Sequence, residues 1–144
     1  METIAVNFDL DSSNYAAILG FSVVYNNNII VDINHVDNKN TIKFDLDLVD
    51  GDHELQFIMK NKTIDDTTID EVGNIVNDAC LTIDNVQVEN QDLGYNFIKH
   101  SVYCHDFNGS QGKIEEPFYG TMGCNGTVNF KFSSPFYIWL LENF

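Results

Sequence analysis

The sequence predicts an all-β fold, a single antiparallel β-sandwich of jelly-roll-like architecture spanning residues 1–144. Three observations carry this reading. Apolar and polar residues alternate with period two in at least four segments, as in strands with one buried face. Clusters of Asn, Asp and Gly, residues that suit tight turns, separate those segments. Nowhere do apolar residues keep helical spacing for three turns. A chain of this length buries about 70% of its unfolded surface on folding, enough for one core without staples, and no linker or internal repeat divides it.

From Ile4 to Leu10 the alternation is clean, with Ile4, Val6, Phe8 and Leu10 on the buried face. The turn-prone Asp11-Ser12-Ser13-Asn14 leads into an apolar, β-branched run from Tyr15 to Tyr25, where Gly20 suits a bulge or bend. Asn26-Asn27-Asn28 tolerates a left-handed backbone, so a return strand from Ile29 to Ile33 follows. Thr41 to Leu48 repeats the alternation, with Ile42, Phe44, Leu46 and Leu48 inward. Asp50-Gly51-Asp52 then turns the chain into His53 to Asn61, and the two runs read as a hairpin. Lys62 to Asp78 is polar and acidic, the longest loop candidate, and long loops in compact domains tend to be functional or mobile. Ala79 to Asn90 resumes alternation with a change of phase near Asp84-Asn85 that predicts a bulge or turn. Gly94 to Cys104 and Thr127 to Phe132 supply further strands, for eight to ten in all, and Phe136 to Glu142 forms a helical turn or a last aromatic strand.

The charge balance narrows the partners. Twenty-two acidic residues oppose seven basic ones, all Lys, for a formal charge of −15. Binding nucleic acid through a basic surface needs clustered Lys and Arg that this chain lacks. Anionic membrane surfaces are disfavoured for the same reason, which leaves cations, neutral polar ligands and other proteins. No apolar run approaches the ~20 residues of a membrane span. Met1-Glu2-Thr3 begins neither a basic region nor an apolar one, so synthesis in a cytoplasm is expected. Cys80, Cys104 and Cys124 are odd in number and lack C-x-x-C spacing, and read as reduced core residues.

One loop gathers hard oxygen donors. Asp65, Asp66, Asp70 and Glu71, followed by Asn74 and Asp78, are the ligand types of a calcium site, which takes six to eight oxygens. Their spacing does not match the helix-loop-helix calcium pattern. Asp45, Asp47, Asp50 and Asp52 form a second acidic group that reads as a solvent face. His100, Cys104 and His105 are zinc-ligand types, but strand geometry puts His105 on the opposite face from the other two. Nothing aligns a nucleophile with a base and an orienting partner, so no enzyme is indicated. Aromatics crowd the second half; Tyr119, Tyr137 and Trp139 are the candidates for exposed contacts to glycan or protein.

The run His53-Glu54-Leu55-Gln56-Phe57-Ile58-Met59-Lys60-Asn61-Lys62, the acidic loop, and Asp78-Ala79-Cys80-Leu81-Thr82-Ile83-Asp84-Asn85-Val86-Gln87-Val88 together resemble the core of small calcium-dependent carbohydrate-binding β-sandwich modules. From Lys60-Asn61-Lys62 through Gly123-Cys124-Asn125-Gly126 to Trp139-Leu140-Leu141-Glu142-Asn143 the chain is also similar to uncharacterised proteins of tailed phages infecting marine cyanobacteria. The abundance of Asn, Asp and Ile beside an absence of Arg fits a low-GC, viral genome. The second resemblance implies a virion protein made in the host cytoplasm: a decoration, neck or tail-associated component contacting other virion proteins or itself. The first implies the alternative, a calcium-dependent glycan-binding module that aids attachment to a host surface.

Overall fold

The computed structural model describes residues 1–143. In chain order the elements are β1 (Glu2–Ser12), β2 (Gly20–Tyr25), β3 (Asn28–Ile33), β4 (Asn40–Leu48), β5 (Gly51–Lys60), β6 (Thr67–Ile69), β7 (Ile75–Asp78), β8 (Leu81–Val88), β9 (Gln91–Asp92), α1 (Tyr95–Lys99), β10 (Ser101–His105), β11 (Ile114–Pro117), β12 (Thr121–Met122), β13 (Gly126–Ser134) and α2 (Phe136–Asn143). A five-stranded sheet runs β12-β8-β1-β4 with β9 beside β8; a six-stranded sheet runs β11-β10-β13-β5-β2-β3. Every pairing is antiparallel. The architecture is the expected β-sandwich.

The alternation in β1 does what its period dictates: Ile4, Val6, Phe8 and Leu10 are all buried. From the facing sheet, Phe21 on β2 and Phe57 on β5 meet Phe8 with ring centroids 5.9 and 5.3 Å away. Phe57 also meets Phe97 edge-on at 5.6 Å, and Phe97 reaches Phe130 at 5.1 Å. Edge-to-face pairs of this kind add about 0.5–1.5 kcal/mol each beyond their buried area. The same seam continues through Phe132 to Phe136 and Trp139 on α2.

Turn chemistry falls where the sequence puts it. Asn26 and Asn27 hold φ of 49° and 62° between β2 and β3, the left-handed pair that a tight hairpin needs. The phase change at Asp84-Asn85 is a bulge: Asn7 faces Gln87 but Asp9 faces Asp84, with Asn85 at φ 53°. Gly20 opens β2 rather than bulging it, and a Cβ there would lie 2.8 Å from the Asn61 side chain.

Four expectations are corrected. The runs at Thr41–Leu48 and His53–Asn61 are not a hairpin. β4 pairs with β1, while β5 pairs with β13 and β2 in the other sheet. Both strands bury one face in the same core, so alternation alone cannot tell a hairpin from a crossing between sheets; Gly51 at φ 123° accommodates the change of direction. Gly94–Cys104 is not a continuous strand, because Asn96 and Phe97 are buried side by side, which breaks period two, and the chain forms α1. The acidic stretch is not an open loop either. It carries a short 3-10 helix at Ile64–Asp66 and a two-stranded arm, β6 with β7. The three cysteines are free and partly exposed rather than sequestered in the core.

The first residues close on the last. The Glu2 carboxylate accepts hydrogen bonds from Ser134 Oγ at 2.5 Å and from the Phe136 amide at 2.7 Å, tying β1 to the start of α2.

Phe57 has no exposed surface and touches both sheets and α1. Phe57→Ala is expected to cost about 3–5 kcal/mol of unfolding free energy, read from urea denaturation. A loss no greater than that of a surface substitution would contradict its place at the centre of the core.

Candidate functional site

Burying Leu55, Phe57, Phe130 and Phe132 turns the alternate residues of β5 and β13 outward. Their register sets Asp52 opposite Ser133, Glu54 opposite Lys131 and Gln56 opposite Asn129. Two of these rungs are hydrogen bonded: Ser133 Oγ donates to Asp52 Oδ1 at 2.8 Å, and Gln56 Nε2 donates to Asn129 Oδ1 at 3.1 Å. The β2–β3 turn, with Asn26 and Asn27, stands at one side, and His100 and Trp139 line the groove with them. The result is an open groove of about 640 Å³, within the range of small-ligand sites. Its lining mixes carboxylates, amides, a hydroxyl, an ammonium and the edge of an indole.

His100 stands out within that lining. Its Nε2 is buried and has no hydrogen-bond partner among the described residues. The ring packs edge-on against Trp139 at 5.0 Å. Burial, assisted by the Lys99 charge, pushes its pKa below the usual 6.5, so the imidazole is neutral near pH 7. Nearby His53 is already committed. Its Nε2–H donates to the Val49 carbonyl at 2.6 Å, which leaves Nδ1 to accept from the Tyr25 hydroxyl at 2.8 Å.

The acidic residues proposed as metal ligands do not converge. Asp65 and Glu71 are exposed. Asp66 Oδ2 accepts from the Thr63 amide at 2.8 Å and caps the short helix. Asp70 Oδ1 accepts from the amides of Val72 and Asn74 at 3.0 and 2.9 Å and closes the turn of the arm. Asp78 Oδ1 takes Lys62 Nζ at 2.6 Å, Thr67 Oγ1 at 2.7 Å and the Ala79 amide at 3.0 Å. Among the described residues no group of three or more His, Cys, Asp or Glu comes together to hold a metal ion. Oxygen donors that face a buried ammonium and their own turn amides do not fit a calcium shell of six to eight oxygens.

The three aromatic candidates lie apart. Trp139 is buried, only 7% exposed, and offers the groove just its edge, so it is a core residue first and not an open platform. Tyr119 is 76% exposed and lines a separate hollow of about 290 Å³ with His105, Phe107 and Glu116. There the Phe107 amide donates to His105 Nδ1 at 3.2 Å, so Nε2–H donates to Glu116 Oε1 at 2.7 Å. Tyr137 is exposed on α2 beside Ile138. Gln56, Glu54 and Lys131 carry no sequence signal as site residues, and His100 only that of a zinc-ligand type. Their outward phase was visible, but the β5–β13 pairing that assembles them was not. Among the described residues no helix is long and apolar enough to cross a membrane.

No protein-family model matches the chain, and no curated protein matches it. Two solved structures are similar to it. One is the selenomethionine form of vCBM60, described with a circular permutation linking two families of calcium-dependent carbohydrate-binding modules; it is 12% identical, with a TM-score of 0.57, over 88% of this chain and 89% of that one. The other is vCBM60 in complex with galactobiose, 14% identical, with a TM-score of 0.47, over 88% of this chain and 96% of that one. The likeness to the first is one of fold.

Burial raises the pKa of Asp78, but hydrogen bonds from Lys62 and Thr67, the Lys62 charge and the Ala79 amide outweigh it, and the net shift is downward. The stabilisation this carries is complete above the unfolded carboxylate value of about 3.9 and is lost as pH falls through the lower folded value. Acid denaturation followed by circular dichroism is expected to show a smaller loss of stability below about pH 4 in Asp78→Asn than in the wild type. Identical acid limbs would contradict this reading.

Proposed function

We propose that the chain is a non-catalytic glycan-binding module that holds a neutral, hydroxyl-rich saccharide in the groove over β5 and β13. The observation that carries this reading is the open groove of about 640 Å³ that gathers Asn26, Asp52, Glu54, Gln56, Lys131 and Ser133 beside the rings of His100 and Trp139. Glu54, Gln56 and Asn26 add acceptors and donors of the planar kind that read hydroxyl pairs. The formal charge of −15 favours neutral over anionic sugars. The fold of a carbohydrate-binding module supports the same class of ligand. Calcium has no part in this reading, because the donors of the acidic loop do not fit it.

A second reading draws on the arm. Ile69, Val72, Ile75 and Val76 are all at least 60% exposed on β6, β7 and the turn between them, and exposed aliphatic groups of this kind suit contact with another protein. In the setting implied by the resemblance to phage proteins, that partner belongs to a virion. The protein's presence at fixed stoichiometry in purified particles, measured by mass spectrometry, tests that setting.

Titration calorimetry against a panel of neutral oligosaccharides tests the glycan reading. At least one is expected to bind, with Glu54→Ala and Gln56→Ala each weakening it about tenfold, the equivalent of one lost hydrogen bond. Both variants should keep the wild-type melting temperature to within a few degrees. Binding that survives both substitutions unchanged would remove the groove as the site.

A further inference from the structure

We propose that Lys62 supplies, from within the chain, the cation that organises the acidic arm, so that the arm holds its shape without calcium. This stands independently of the glycan reading. The Lys62 side chain is 2% exposed, although it carries a full charge on a chain with few cations. Its ammonium donates to Asp78 Oδ1 and to the Gly123 carbonyl, both at 2.6 Å. One charge therefore ties the end of β7 to the segment between β12 and β13. The backbone at the same residue is clamped as well: the Lys62 amide donates to Asn125 Oδ1 and Asn125 Nδ2 donates to the Lys62 carbonyl, each at 2.9 Å. Thr67 Oγ1 completes the knot at the start of β6.

This is the work that a structural divalent cation does in an acidic loop, gathering carboxylate and carbonyl oxygens from distant segments. Here the gathered oxygens are satisfied by an ammonium that cannot dissociate. A calcium ion at Asp78 would have to displace a buried positive charge and face it at close range. The similar solved structure is described with two families of calcium-dependent carbohydrate-binding modules.

The test is thermal unfolding of the full chain. The wild-type melting temperature is expected to be the same in millimolar calcium and in EDTA. A resident calcium site filled at a hundred times its Kd would instead separate the two by about 5–10 °C, and such a separation would overturn the proposal. Asp78→Leu strands the buried Lys62 ammonium, and Lys62→Met leaves the partly exposed Asp78 carboxylate without its cation; Asp78→Leu should lower the melting temperature by on the order of 10 °C and Lys62→Met by less. The double variant Lys62→Met/Asp78→Leu removes both charges together, and its loss should be smaller than the sum of the two single losses. Losses that simply add, or a Lys62→Met variant as stable as the wild type, would also overturn it. If Lys62→Met fails to fold, the calcium comparison on the wild type and the folding of the double variant still decide.

Discussion

The contact of Phe8 with Phe57 across the two sheets, 5.3 Å between ring centroids, is the constraint from which the rest follows. It fixes which face of β1 and which face of β5 is inward. Period two then allows no choice for the remaining side chains. With Phe57 inward, Glu54 and Gln56 are outward; with Phe130 and Phe132 inward on the paired strand, Lys131 and Ser133 are outward beside them. The groove is thus the reverse side of the aromatic core. A one-residue slip between β5 and β13 would change its rungs, and the same slip would pull the phenylalanines out of register with α1.

This dependence explains what could be read in the chain and what could not. Inward and outward residues of β1, β4, β5 and β13 were legible because alternation is local. The bulge at Asn85 and the Asn26-Asn27 turn were legible because Asn suits positive φ. Strand partnership was not local. Thr41–Leu48 and His53–Asn61 sit next to each other in sequence and in different sheets, and nothing in their pattern separates that outcome from a hairpin. For the same reason His100 drew attention only as a zinc ligand type. Its place beside Trp139 depends on α2 folding back over β13, which no periodicity announces.

The acidic loop shows a further limit of reading composition as chemistry. Six oxygen-bearing residues in one stretch suggested a metal shell. The same residue types also serve as turn formers, and here most of that capacity is spent on the Asp66 cap, the Asp70 turn and the Asp78 knot. Lys62, the first residue of that stretch, gave no signal, since a lone Lys is normally a solvated residue. Only its burial marks it. Among the described residues, the polar cluster at Lys62 has its needs met from within, while the buried His100 Nε2 has no partner.

The closure of Glu2 on Ser134 and Phe136 joins residues more than 130 positions apart. On a ribosome, β1 must therefore wait until the start of α2 has been made before its end is tied down. β5 has its β2 neighbour early, but its other edge stays open until β13 emerges. Through that interval the nascent chain carries Phe57 and Leu55 on a sheet with an unpaired edge, the condition under which strands join the wrong neighbour. High contact order of this kind slows folding. The strong negative charge on the outward faces then serves a second purpose during synthesis, keeping half-built copies of the chain from pairing with one another.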